Sequence, residues 1–358
     1  MTGEVVFLYA FDVGNEIVPA KVDRVLGRKA EPLDVRRDHT SPRAVTFHQP
    51  LAVEPEPACA IAGRPARTQV RVYDVGVVSV LFRVPVAADA LAELVPFHRP
   101  TLADGRDLAA AAHEVCRQVV EDLGPTILKP APVTDPEAYT VFCLADLGGP
   151  RDVPAWLAGQ PAAVAGLLSD FDPDRLAPAQ VSEVLRHQQS FERTDLVVVD
   201  WDAALVVDLS GYYDDVLFVL ELANLQLEEF RVMDVTLDRH LTTAYALTEK
   251  RPGILIGGPS ALLRQIRGLS VDVARLSDEV THITKFLGDW YLARVYLSAR
   301  ERFHLGQWRT SVEERLDRLN DLYSVVRAEV GERRMLWLEI VIVVFFAIDL
   351  LAILVFKR

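Results

Sequence analysis

The chain has 358 residues, half of them apolar and a quarter charged, and a formal net charge of -13 at pH 7. That length exceeds one ordinary domain, and the balance is that of a globular chain rather than a disordered one. The negative excess argues against a general binder of nucleic acid or anionic lipid, because phosphate attraction requires a basic surface. The charge is uneven, with ten Arg and Lys against eight Asp and Glu from Thr281 to Arg334, so the acidic excess lies upstream. Arg outnumbers Lys and Ala and Val are abundant, the composition of a high-GC bacterial genome. Cys59, Cys116 and Cys143 stand far apart without C-x-x-C spacing, which reads as small buried side chains in a reducing compartment.

Taken in chain order, Glu4–Phe11 reads as a strand, and the Pro- and charge-rich stretch from Pro19 to Pro65 as loop with short ordered pieces. The N-terminus has no basic leader, so the bulk is expected to stay in the cytoplasm. Thr68–Tyr73 and Val75–Val84 predict a hairpin or bulged strand pair around Asp74 and Gly76. Ala87–Val95 and Asp107–Leu123 have helical periodicity, the second stopped by Gly124 and Pro125, and Ala138–Leu144 is a strand. Short helices are expected over Pro154–Gln188, then a hairpin of Leu196–Asp200 and Leu205–Leu209. A long helix starts at Tyr213–Asp215, where acidic residues oppose the helix dipole, and runs to Glu249, ended by Arg251, Pro252 and Gly253.

From Ala261 onward the pattern is helical. Leu276, Val280, Ile283, Leu287, Trp290 and Leu297 follow a 4-3-4-3 spacing with one position skipped, and Gly306 breaks it. Val312, Leu316, Leu319, Tyr323, Val326 and Val330 then repeat as a short heptad seam, packed either within the chain or between chains as a coiled coil. The fold class expected is α+β: a mixed α/β domain over 1–210, a helical stalk over 211–334, and one transmembrane helix over 335–356.

The apolar run Met335–Phe356 carries that last expectation. A helix of this length rises roughly 33 Å, close to the thickness of a bilayer core of about 30 Å. Arg333 and Arg334 precede it. Glu339 lies one turn inside, within reach of those arginines, and Asp349 lies deeper, at an insertion cost of about 2.5–3.5 kcal/mol. These four residues are the candidate intramembrane and oligomerisation site. The chain is therefore expected at a membrane, single-pass and C-terminally anchored.

Motifs for chemistry are sparse. There is no G-x-x-x-x-G-K-[ST], no G-x-G-x-x-G after a strand and no H-E-x-x-H. Gly257–Ser260 reads as a loop before a helix, and His113 beside Glu114 as a boundary histidine. Asp170, Asp172 and Asp174 lack the Gly and distal Glu of a calcium loop and read as a solvated turn. Asp200 and Asp202 read as hairpin-turn acids. No catalytic residue, metal ligand or cofactor site is assigned.

Ser311–Tyr323 together with Glu332–Arg334 and Trp337–Ile342 is similar to the tail of the required-for-meiotic-nuclear-division family, with Glu339 and Asp349 at its two acidic places. Tyr73–Phe82 resembles that family's Y-G-V-V-V-F-F strand with an extra Val before Gly76, and Asp215–Leu227 its L-A-Q-S helix with Asn224 and Leu225 in place of Q-S. The resemblance implies a membrane-associated bacterial member without defined enzymatic activity, acting in anchoring or assembly. The function expected is a non-enzymatic, tail-anchored homo-oligomeric scaffold, with the lipid bilayer and an assembly partner rather than nucleic acid as partners. A membrane-tethered enzyme and a small pore or sensor using Asp349 are the alternatives.

Overall fold

Thr2–Asp12 forms β1, and Val5–Phe11 is buried without interruption because the strand has a layer on each face. The structure is a computed structural model describing residues 1–18, 31–32, 51–53, 59–102, 104–249 and 290–356. Within those ranges, the side chains of 31–32, 53, 59, 246–249, 323, 325–327, 329–334 and 349–356 are outside the description. The strands that follow are β2 (Gly14–Ile17), β3 (Glu31–Pro32), β4 (Leu51–Val53), β5 (Cys59–Ile61), β6 (Arg64–Tyr73) and β7 (Val77–Ala87). A 3-10 helix at Leu91–His98 and α1 (Leu108–Leu123) precede β8 (Ile127–Pro130) and β9 (Glu137–Asp146). Three short helices come next, α2 (Val153–Gly159), α3 (Pro161–Leu168) and α4 (Pro178–Val184). After β10 (Gln188–Gln189), β11 (Asp195–Val199) and β12 (Ala203–Asp208), the chain is helical: α5 (Asp214–Glu249), α6 (Trp290–Arg302) and α7 (Leu305–Phe356).

The main sheet runs β10-β11-β12-β9-β1-β7-β6-β4-β3, with β5 beside β6, while β2 and β8 pair separately. β1 is antiparallel to β7 and β9, and β12 joins β9 in parallel after the α2–α4 crossover. Odd-numbered residues of β1 (Val5, Phe7, Tyr9, Phe11) pack on one face with Leu94, Phe97, Leu108, Ala112, Cys116, Val164 and Leu168. On the opposite face Ala10, Tyr73 and Val77 meet Phe218, Leu222 and Leu225 of α5. The period of two in each strand is what divides the side chains between these layers.

The turn between β6 and β7 requires Gly76. Its φ is +91°, and a Cβ there would run into the backbone oxygen of Gly14. The expected hairpin is present, with its second strand shifted to Val77–Ala87. Ala87–Val95 is not the helix its periodicity predicts, because β7 pairs with β1 through Ala87 and the 3-10 helix begins only at Leu91. The β11–β12 hairpin, the long helix to Glu249 and the short Pro-punctuated helices occur as expected. Leu276, Val280, Ile283 and Leu287 lie outside the described residues, as does most of the stretch 19–58.

The chain divides into two units: one from Met1–Val232 and Leu276–Arg309, the other from Met233–Arg275 and Thr310–Arg358. The first holds the sheet and its covering helices. In the second, Leu237, Ala244, Val312, Leu316 and Leu319 are buried, and Arg315 of α7 bonds Asp234 at 3.1 Å and Asp238 at 3.4 Å on α5. The α+β class therefore holds, with a sheet-rich N-terminal part and C-terminal helices.

The transmembrane helix expected at 335–356 is corrected. Among the described residues no helix is long and apolar enough to cross a membrane. Within the described part of the run, Met335–Ile348, Glu339 interrupts the apolar residues. The single-pass anchor, and the membrane location inferred from it, fall with that finding.

Candidate functional site

The sheet-facing surface of α5 is unusually polar for a buried one. Glu221 and Glu228 are seven residues apart, two helical turns, so both fall on the face that packs inward. Glu221, Asn224, Gln226, Glu228 and Glu229 are all buried. Charge in such a place must be paired, and the sheet supplies partners.

Arg71 of β6 bonds Glu221, each side chain being 1% exposed, and its Nη2 donates to Gln69 Oε1 at 3.1 Å. Burial alone would lower the Arg71 pKa, but Glu221 outweighs it and holds the guanidinium charged. Tyr73 lies two residues along the same strand face, and burial, reinforced by Glu221, pushes its hydroxyl far up, so it stays neutral. At the start of α5, Arg83 Nε donates to Glu4 Oε1 at 2.9 Å and Arg83 Nη2 to Asp214 Oδ1 at 2.9 Å, fastening the first turn to β1 and β7. Farther along, Tyr296 of α6 donates to Gln226 Oε1 at 2.5 Å, and Asn224 Nδ2 donates to Glu137 O at 3.1 Å. Arg231 closes the series on Glu228 and Glu137.

A second cluster surrounds the β11–β12 turn. Asp200, read from sequence as a hairpin-turn acid, is buried and bonded by Nη2 of Arg302, whose Nη1 donates to Glu183 Oε1 at 3.1 Å. Burial raises the Asp200 pKa and Arg302 opposes that shift. His304 links α6 to α7 in the left-handed region, φ +53°, with its ring 4.9 Å from Trp201. The helix break predicted at Gly306 thus lies two residues earlier, and Gly306 belongs to the first turn of α7. Arg302 and His304 clamp the interhelix corner to the hairpin.

The other sequence candidates are resolved simply. His113 donates to Val133 O at 3.3 Å and stands edge-on to Phe11, a boundary histidine. Asp172 caps the 3-10 turn Pro173–Arg175 through Asp174 N, and Asp170 pairs with Arg99 at 3.0 Å. No group of metal-ligating side chains occurs among the described residues. Cys116 and Cys143 are buried free thiols, Cys116 pushed up to about 12 by burial, while the side chain of Cys59 is outside the description.

Of the seam, Val312, Leu316 and Leu319 are buried within the chain, while the side chains of Tyr323, Val326 and Val330 are outside the described set. Glu339 is exposed, and the side chains of Arg333, Arg334 and Asp349 are likewise outside the description. The structure therefore brings none of these four into a described cluster. Around Glu339, every large apolar side chain from Met335 to Ile348 is exposed. Sequence reading missed the buried α5 charges, although two carboxylates a heptad apart within the apolar run Val216–Phe230 are a legible signal of burial.

The molecule is thus an α+β protein whose long helix is docked on its sheet through buried ion pairs. The chain belongs to the family described as "Uncharacterized protein MJ0711, N-terminal domain", which matches residues 2–214. That span contains the whole described sheet and ends at the first residue of α5. "Uncharacterized protein MJ0711" of Methanocaldococcus jannaschii is 22% identical over 222 residues, covering 60% of this chain and 65% of that protein. No solved structure matches. These matches overturn the resemblance to the meiotic-nuclear-division family, and a relative from an archaeon gives no support to a bacterial member. That resemblance rested chiefly on the tail from Ser311 to Ile342, outside the matched span, where heptads and apolar runs recur in unrelated chains for packing reasons alone.

Proposed function

We propose that this protein is a non-enzymatic scaffold that assembles with further copies of itself, the exposed apolar stretch Met335–Ile348 of α7 forming the assembly surface. The observation that carries this reading is the run Met335–Ile348, in which Trp337 is 56%, Phe345 69% and Phe346 72% exposed. Fourteen successive positions pass around the whole circumference of a helix at about 3.6 residues per turn. One partner helix covers one stripe, so burial of the full circumference requires a bundle of several copies. The run leaves on the order of 1,000 Å² of apolar surface open, where an ordinary monomer's largest patch is a few hundred. A standard interface takes about 800 Å² from each partner, so the surface is large enough to hold a stable assembly. Leu316 and Leu319, already buried within the chain, leave the distal part of the helix as the intermolecular contact.

The test is the mass of the full-length protein in solution by light scattering or sedimentation equilibrium. Oligomers of three or more copies are expected, and Leu338→Glu with Phe345→Glu should reduce them to single chains with unchanged circular dichroism. A wild-type protein recovered as single copies, whether free or on lipid vesicles, overturns the reading.

A further inference from the structure

Glu228 is the most completely buried acid on α5, at 0% exposure. Arg231 holds its Oε2 at 2.6 Å, while Oε1 has no hydrogen-bond partner among the described residues. Arg231 is shared: its Nε lies 3.6 Å from Glu137 Oε2, and its Nη2 donates to Asp135 O. One turn before Glu228, Asn224 donates to Glu137 O. Asn224, Glu228 and Arg231 stand at i, i+4 and i+7, a single stripe of the helix. That stripe grips the short segment Asp135–Glu137, which leads into β9 beside the centre of the sheet.

The charges around Glu228 come from several elements. Arg231 faces it from α5, Glu137 from the start of β9, and Asp12 from the end of β1, while Asp202 of the β11–β12 turn acts on Glu137. Carboxylates thus converge on a guanidinium already divided between two of them. A fully ionised set leaves the buried Glu228 charge facing the part-buried Glu137 and Asp12 carboxylates, and one bound proton relieves that repulsion.

We propose that Glu228, Glu137 and Arg231 form a proton-operated latch, closing α5 onto the Asp135–Glu137 segment when the carboxylate pair holds a proton from water and loosening it when that proton returns to solvent. Burial pushes Glu228 up to about 7, with Arg231 opposing and Glu137 and Asp12 adding to the rise, and burial raises Glu137 as well. Glu137, itself raised by burial, adds to the rise at Glu228, so a proton on Glu137 eases the burden on Glu228. The latch lies within the sheet unit and does not depend on self-association.

Hydrogen exchange with peptide-level mass spectrometry on the full-length protein tests it, at pH 6 and pH 8 and corrected for the intrinsic exchange rate. Peptides covering 135–145 and 221–232 should open about 10-fold more readily at pH 8, the ratio for a group titrating near 7 when closed and near 4.5 when open. Peptides of the β6–β7 hairpin should show no such pH dependence. Glu228→Gln, a fixed mimic of the protonated acid, should stay closed at both pH values. Glu137→Gln, which also removes one of the opposed charges, should shrink the pH effect even if the first variant folds poorly. Arg231→Gln should move the transition to higher pH. Unchanged pH dependence in both glutamine variants, or none in the wild type, or one spread equally over the hairpin, overturns the proposal.

Discussion

Arg71→Met leaves Glu221 charged and without its cation at a position 1% exposed, between β6 and α5. Breaking a buried pair by removing one partner costs about 3–5 kcal/mol, because the desolvated charge that remains is uncompensated. Glu221→Leu strands the guanidinium in the same way, though Gln69 Oε1 at 3.1 Å still accepts from it and softens the loss toward about 3 kcal/mol. The double variant Arg71→Met with Glu221→Leu removes both charges and fills the volume with apolar atoms. Its stability should fall within about 1 kcal/mol of wild type, since replacing a buried ion pair by packed side chains is often neutral or stabilising. The coupling energy is then about 5 kcal/mol or more, far above the few tenths expected of independent sites. Urea denaturation at pH 7, followed by circular dichroism on all four proteins, measures it. Single variants losing less than about 1 kcal/mol, or a double variant losing the sum of the two, would show that the pair is hydrated and that α5 is not fastened through it.

Stability should fall as pH rises from 5 to 8, by about 2–3 kcal/mol, because Glu228 near 7 in the folded chain binds its proton more tightly than the unfolded group near 4.5. The raised acid pKa means that the folded state holds the extra proton across this interval. Acidification therefore stabilises it, and Glu228→Gln should flatten the profile of melting temperature against pH; an unflattened slope assigns the effect elsewhere. Leu319→Ala, at a side chain 0% exposed, should cost about 2–5 kcal/mol in a thermal melt, and Leu316→Ala somewhat less because that position is 8% exposed. If both leave the melt unchanged, the upstream half of the seam does not pack within the chain.

Local pattern was a good guide wherever one periodicity ruled a segment. The strand at Glu4–Phe11, the β11–β12 hairpin, α1 and the helix from Asp214 to Glu249 are all where apolar spacing, turn residues and acidic first-turn residues put them. Ala87–Val95 misled in part: the β1–β7 ladder takes Ala87, and Leu91–His98 is helical but of the 3-10 type rather than α. His304 was passed over for Gly306 because a left-handed position favours glycine, whereas here the histidine ring is held against Trp201. Asp200 reads as an ordinary turn acid until Arg302, about a hundred residues later, is brought against it.

The sequence by itself determined the α+β class, the order of most elements and the absence of common nucleotide and zinc signatures, because those follow from local spacing and residue type. It also marked Met335–Phe356 as apolar on every side, but apolarity alone does not determine what covers a helix, and the membrane span inferred from it did not hold. Only the tertiary structure decided which charges are buried. Glu221 with Arg71, Arg231 with Glu137, and Asp200 with Arg302 are joined across the layers of the fold. Whether a carboxylate in a helix is a solvated surface group or a desolvated one depends on what lies across from it, and no local pattern carries that distance.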